Sequence, residues 1–106
     1  MKLERSSRTN HHQTRALEQV AHEAAAFIRR EAGPNSLITV TRAISLAHGE
    51  RMTVYISVFP EEKGLAALSF LERRRKAFSE HLKEHTRLRP LPRVDFMLDD
   101  QPFAKP

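Results

Sequence analysis

The stretch ERRRKAFSEHLKEHTRLRPLPRVDF, residues 72–96, decides the fold because it joins three structural signals in one order. Four consecutive basic residues, Arg73 to Lys76, precede a segment with apolar residues at helical spacing. Pro90 and Pro92 then stop the helix, because the residue before a proline is disfavoured in helical backbone. Residues 93–98 alternate apolar and polar side chains, which predicts a strand. The stretch therefore predicts a helix, a proline turn and a returning strand.

A second apolar stripe lies just upstream, at Leu65, Leu68 and Leu71. It does not join the stripe of the following helix, because the basic run between them has no apolar member. The helical region, roughly 62–86, is therefore predicted to consist of two helices with a break at Arg73–Lys76.

The first half of the chain predicts a helix followed by a hairpin. Residues 14–32 carry one apolar stripe at spacings of three and four, so they are predicted to form a helix. Residues 37–46 and 51–59 are rich in β-branched side chains and are predicted to be strands. The turn between them, 48–50, contains Gly49, which can adopt a positive φ.

These elements give the order helix, strand, strand, helix, helix, strand. The order predicts an α+β domain with its helices on one face of a three-stranded sheet. We expect a single folded domain at 14–99, preceded by a flexible arm at 1–13 and followed by a flexible tail at 100–106.

The positive charge is concentrated in one segment. The whole chain of 106 residues has a net charge of +5, and residues 71–93 contain eight Lys or Arg and three Glu, which accounts for all of it. A basic segment in an otherwise neutral domain indicates a polyanionic partner, nucleic acid before an anionic membrane. A solvated helix face is the alternative explanation, and charge alone does not separate the two.

Four segments in this order resemble the ribosome-binding factor A family: residues 15–34, 38–45, 54–58 and 87–100. The last of them, RLRPLPRVDFMLDD, is the most specific, and the residues that match the spacing of that family are Leu88, Arg89, Pro92, Phe96 and Asp99. The resemblance implies a KH-like domain of type II. It also implies a non-catalytic, cytoplasmic assembly factor that binds the small ribosomal subunit and assists maturation and processing of its ribosomal RNA.

The chain departs from the family at the predicted break between the two helices. The family is similar to RNA-binding KH domains in having a glycine there, as Ala-x-Gly, where the backbone approaches the nucleotide chain. This chain has Arg74-Arg75-Lys76 at that place, and no glycine follows Gly64. Basic side chains are expected to substitute for the close backbone approach.

The candidate RNA-binding residues are the basic groups of the helix pair and the turn after it. Arginine pairs bidentately with phosphate, and four adjacent cations repel one another unless an anion neutralises them. The predicted contacts are Arg73, Arg74, Arg75, Lys76, Lys83, Arg87 and Arg89. Possible further contacts from the N-terminal region are Arg5, Arg8 and Arg15. For Arg87 and Arg89 a structural role is an equal alternative, because cations stabilise a helix C-terminus.

Aromatic residues are assigned to the core rather than to base stacking. Five phenylalanines fall mostly on apolar stripes, namely Phe27, Phe59, Phe70, Phe78 and Phe96. This pattern favours recognition of RNA through its backbone and shape over stacking on single-stranded bases.

Other chemistries have little support in the sequence. There is no cysteine, and His81 and His85 are spaced for a metal but have no obvious third ligand, so no metal or other cofactor is predicted. Ser45 lacks the context of a nucleophile, so we expect no enzyme and no small-molecule substrate. No apolar run reaches the roughly 20 residues of a membrane span, and we expect a monomer that does not act at membranes.

Two alternative functions remain open. One is a KH-like RNA-binding protein that is not tied to ribosomes. The other is a protein-interaction module whose basic helix binds an acidic partner.

Overall fold

The computed structural model describes residues 11–33 and 36–99. It has three α-helices and three strands within these residues: α1 His11–Ala32, β1 Leu37–Leu46, β2 Arg51–Phe59, α2 Gly64–Arg73, α3 Arg75–His85 and β3 Arg93–Leu98. All three strands have the predicted bounds. Helix α1 begins at His11 rather than at residue 14, so the last three residues assigned to the arm are helical. The rest of the predicted arm, 1–10, and the predicted tail, 100–106, lie outside the described residues.

The three strands form one mixed sheet in the order β1-β2-β3. Strands β1 and β2 pair antiparallel across the hairpin, and β3 returns after the two helices to pair parallel with β2. The predicted α+β fold with the KH-like order of elements is confirmed. This topology brings the start of β3 beside the break between α2 and α3, which positions the candidate site.

The hydrophobic core lies between the helices and one face of the sheet. Helix α1 contributes the predicted stripe, and β2 and β3 contribute alternate residues that face the same way. The buried apolar residues are Val20, Ala24, Phe27, Ile28, Met52, Val54, Ile56, Leu71, Phe78, Leu82, Val94 and Phe96. Because strand side chains alternate, Thr53, Tyr55 and Ser57 of β2 lie on the other face of the sheet.

Phe59 was predicted to be a core residue, and this prediction is wrong. It is the last residue of β2 and pairs with Leu37, the first residue of β1. Its odd-numbered position places it on the face of the sheet opposite Ile56 and Val58, and 70% of its surface is exposed. The fully buried phenylalanines, Phe27, Phe78 and Phe96, form a packed group with ring centroids 5.2 and 5.6 Å apart.

The hairpin turn requires backbone conformations that the sequence only partly indicates. Gly49 has the predicted positive φ, at 92°, and Ala47 and His48 have φ values of 52° and 57°. Left-handed backbone is disfavoured for residues with a Cβ, so the turn carries two less favourable residues beside its glycine. Gly33 ends α1 with φ 84°, as its position after the helix predicts.

Within the described residues, no helix combines the length and apolar character that crossing a bilayer requires.

Candidate nucleic-acid interface

The break between α2 and α3 lies at Arg74, inside the basic run, as predicted. The Arg74 N–H donates to the carbonyls of Phe70 and Leu71, and its own carbonyl accepts the Phe78 N–H at 2.9 Å. Arg74 has φ −99° and ψ 9°, in the bridge region, which is sparsely populated but does not require a glycine because φ is negative. The connection therefore forms without the glycine of the Ala-x-Gly pattern.

The break divides the four basic side chains between two sides of the helix pair. Arg73, Arg75 and Lys76 line a groove bounded by α3 and by the segment that leads into β3. Arg74 instead reaches towards the end of α1, where it pairs with Glu31. Arg74 lies at the break itself, between the last residue of α2 and the first residue of α3, and its side chain leaves the groove that its neighbours line.

The groove has a volume of about 630 Å³ and a mixed lining. Its cationic side chains are Arg73, Arg75, Lys76 and Arg93, and Glu72 is its acidic lining residue. Its base is apolar, built from core residues of α3 and β3. Arg93 was counted in the charge of the segment but was not among the predicted contacts. The sequence signal for Arg93 was its position directly after the two prolines. The first residue of the returning strand β3 lies beside the break between α2 and α3.

The inner two members of the basic run are neutralised within the chain. The Arg75 guanidinium lies 3.0 Å from the carboxylate of Asp95, which also lies 3.8 Å from Arg51. Arg74 forms a hydrogen-bonded ion pair with Glu31. The sequence argument required an anion beside the run, and for these two residues α1 and β3 supply carboxylates of the chain itself.

Glu31 is held ionised by its two arginine neighbours. The hydrogen bond from Arg30, at 3.2 Å, lowers the pKa of Glu31 most, and the hydrogen bond from Arg74 lowers it further, against an opposing effect of desolvation. A carboxylate between two guanidinium groups stabilises the folded state at neutral pH. Glu31 lies three residues after Ile28, on the core-facing side of α1, and this pairing explains a charged residue there.

The remaining predicted contacts lie at the other end of α3. Arg89 donates hydrogen bonds to the carbonyls of Lys83, at 3.1 Å, and Leu88, at 2.6 Å, so its guanidinium caps the helix C-terminus. Lys83 and Arg87 are exposed and have no ion pair among the described residues. Arg89 therefore has the structural role given as the alternative, which is to stabilise the C-terminus of α3. Lys83 and Arg87 are available to a ligand.

Arg15 lies apart from the groove. It is exposed on the first turns of α1 and lines a different pocket, together with His85 and Thr86 at the end of α3. Arg5 and Arg8 lie outside the described residues. RNA binding by Arg5, Arg8 and Arg15 therefore remains a prediction.

The groove suits a phosphate backbone better than a stacked base. Arg73, Lys76 and Arg93 present charge at its rim, and arginine binds phosphate through two parallel N–H donors. Phe78 lines the groove but is 1% exposed, so it offers no ring face to a base. The arrangement therefore fits recognition of RNA through its backbone and shape, without base stacking in the groove.

The fold and this basic groove define a KH-like α+β domain with a surface for a polyanion. The chain matches no model of a protein family and no curated protein. It does match solved structures. It is similar to ribosome-binding factor A from Thermus thermophilus, with 29% identity, a TM-score of 0.68, and coverage of 80% of this chain and 93% of that one.

Two further structures agree with this match. One is a model of Thermus thermophilus ribosome-binding factor A fitted into a cryo-EM map of a 30S complex, with 29% identity, a TM-score of 0.61, and coverage of 80% of this chain and 88% of that one. The other is a putative ribosome-binding factor A from Thermotoga maritima, with 18% identity, a TM-score of 0.58, and coverage of 88% and 87%, which supports the fold alone. The resemblance of this chain to the ribosome-binding factor A family is confirmed over most of its length.

Proposed function

We propose that this chain binds the small ribosomal subunit and assists the maturation and processing of its ribosomal RNA. The observation that carries the proposal is the likeness to ribosome-binding factor A, which covers 80% of this chain and 93% of the Thermus protein. A homology model of that relative, fitted into a cryo-EM map of a 30S complex, supports the small subunit as the partner. The chain acts by binding and has no catalytic step of its own.

The RNA-binding surface in this proposal is the groove together with the outer side of α3. Arg73, Lys76 and Arg93 contact phosphates directly. Lys83 and Arg87 extend the contacts towards the C-terminal end of the helix. Arg75 lies in the groove with its guanidinium fixed by Asp95, so it contributes a positioned donor rather than a mobile one.

Arg74 and Arg89, also predicted as contacts, act mainly within the chain, because their guanidinium groups are engaged by Glu31 and by helix-end carbonyls. The folded unit extends over 11–99, and Arg5, Arg8 and Arg15 add contacts from the N-terminal side. A factor of this kind works as a monomer in the cytoplasm, and it needs no small-molecule substrate.

The test is co-sedimentation with separated small and large ribosomal subunits at about 0.1 M salt, where phosphate contacts are only partly screened. Wild type is compared with Arg73→Glu/Lys76→Glu. The matched control is Arg29→Glu/Lys63→Glu, which makes the same change in net charge at two exposed residues outside the groove. Wild type and the control are expected to pellet with the small subunit alone, and the groove variant to stay in the supernatant.

Other outcomes separate the parts of the proposal. If both variants pellet as wild type does, the partner is right and the groove is not the contact. If wild type pellets with neither subunit, the ribosomal function is wrong. Binding to isolated RNA would then favour a KH-like protein outside the ribosome, and preparations free of nucleic acid that bind no RNA would favour an acidic protein partner.

A further inference from the structure

A cluster of metal-ligating side chains joins α1 to α3 on the side away from the groove. Glu23 of α1 and His81 and His85 of α3 each place a donor atom within 4.8 Å of the other two. The two histidines are one helical turn apart, and their rings stack with centroids 4.0 Å apart. The sequence argument rejected a metal because it found no third ligand, and the tertiary structure supplies Glu23, 58 residues before His81.

We propose that Glu23, His81 and His85 bind a divalent transition-metal ion of the Zn²⁺ class. Two imidazoles and one carboxylate match the ligand types of such ions, and a water molecule completes a tetrahedral set. This proposal does not depend on the ribosomal function, because none of the three residues lines the basic groove.

His85 is already in the tautomer that a metal requires. Its Nδ1 lies 2.8 Å from the His81 carbonyl oxygen, which can only accept a hydrogen bond, so the proton is on Nδ1 and the lone pair is on Nε2. Metal-binding histidines commonly donate their other ring N–H to a carbonyl in this way, which fixes the ring orientation.

His81 and Glu23 are held close to metal-binding separation. His81 Nε2 lies 2.8 Å from Glu23 Oε1, and the ligand atoms of a tetrahedral Zn²⁺ site stand roughly 3.3 Å apart. A metal ion would replace the proton that these two atoms share. The His81 ring is 5% exposed and packs edge-on against Phe27, so it is preorganised for this role.

The site has an access route and a limit on its affinity. Glu23 and His85 line a surface pocket of about 360 Å³, which admits the ion and its water ligand. A metal on His81 Nε2 moves the ring proton to Nδ1, which is buried and has no hydrogen-bond partner among the described residues. That unpaired N–H weakens binding, so we expect micromolar rather than nanomolar affinity.

Zn²⁺ titration of the full chain by calorimetry tests the proposal. Every sample carries His11→Ala and His12→Ala, because those two adjacent histidines are a second source of ligands. The variants are His85→Ala and Glu23→Gln, and His48→Ala, an exposed histidine in the hairpin turn, is the matched control. His81 is left unchanged because it is buried in the core, and circular dichroism checks that each variant folds.

The parent protein and His48→Ala are expected to bind one Zn²⁺ per chain and to ignore Mg²⁺. His85→Ala is expected to weaken binding by at least the roughly 10–100-fold seen when outer partners of metal sites are removed. Co²⁺ bound to the parent should show the intense visible absorption of tetrahedral coordination. The proposal is overturned if the parent binds no Zn²⁺, or if folded His85→Ala and Glu23→Gln bind it as tightly as the parent.

Discussion

The basic run has two outer members, Arg73 and Lys76, and two inner members, Arg74 and Arg75. They are neighbours in sequence but differ in their ion pairing. The outer residues line the groove and have no ion pair among the described residues. The inner residues are held by Glu31 and Asp95. Arg75 lines the groove as the outer residues do, so the two pairs differ in whether a carboxylate of the chain already engages their charge.

This difference shows that the number of consecutive basic residues in the sequence does not give the number of residues available to contact RNA. Arg74 and Arg75 carry as much charge as their neighbours, yet two carboxylates already neutralise them. The free positive charge is spread instead over residues that are distant in sequence, because Arg93 joins Arg73 and Lys76 in the groove. The following predictions distinguish the outer members of the run, whose charge is free for a ligand, from the inner members, which are paired within the chain.

The largest effect is expected from the outer pair. Four to six phosphate contacts give a slope of log affinity against log salt of roughly −3 to −5 for subunit binding. Arg73→Ala/Lys76→Ala should reduce the magnitude of that slope by about 2, because each lost phosphate contact removes about one unit. Filter binding to small subunits across a salt series measures it. The control Arg29→Ala/Lys63→Ala should keep the wild-type slope, and a wild-type slope near zero would exclude phosphate contacts.

A gain of binding is expected when the inner pair is partly released. Asp95→Asn removes the carboxylate that engages Arg75 and Arg51, so the negative charge beside the groove is lost and Arg75 is freed. The affinity for small subunits should rise several-fold at low salt, and the same filter-binding measurement detects it. Glu62→Gln, which makes the same change in charge at an exposed residue before α2 and outside the groove, serves as the control. Weaker binding by Asp95→Asn would mean that Arg75 must be fixed in order to act.

A loss of stability without a loss of binding is expected for Arg74. Arg74→Met retains much of the side-chain volume but leaves Glu31 without its partner from the helix break. The melting temperature should fall by a few degrees, and co-sedimentation with small subunits should be unchanged. The melting temperature of Arg74→Lys should lie between those of wild type and Arg74→Met, because lysine keeps the charge but lacks the planar guanidinium. If Arg74→Met loses subunit binding as the groove variant does, the inner residue is a contact after all.

The smallest effect is a pH dependence from Glu31. Its pKa is lowered in the folded protein, so its ionised form contributes stability above the pKa of the unfolded chain, about 4.3, and this contribution is lost as the pH falls through the folded value. Urea unfolding of wild type and Glu31→Gln should therefore differ at pH 7 and converge on acidification. A difference that stays constant down to the lowest accessible pH would assign the effect to packing rather than to charge.

The elements of the fold were predictable because their signals are local. Alternation and β-branched residues located all three strands, and the absence of an apolar residue in the basic run located the break. The break lacks the glycine of the family, and Arg74 occupies it with a negative φ. The alternation within β2 also indicates the side of Phe59, because its odd-numbered position places it opposite Ile56 and Val58, and the apolar character of phenylalanine misled the core assignment.

The candidate site was predictable only in part for the same reason. Arg73, Lys76, Lys83 and Arg87 keep the positions expected of a cationic surface. Arg89 turned out to cap α3, and Arg93 was overlooked because it follows the helix rather than belonging to it. Charge density in the sequence therefore located the surface but could not assign individual roles within it.

Local sequence was enough to predict the order of the elements, the bounds of the strands, the concentration of positive charge and the likeness to ribosome-binding factor A. These features depend on residues that are close together along the chain. Which cations are free and which are paired, and the contact between Glu23 and His81, depend on the packing of elements that are distant in sequence. Glu31 and Arg74 are 43 residues apart, so their pairing depends on how α1 packs against the helix break and leaves no trace in local sequence.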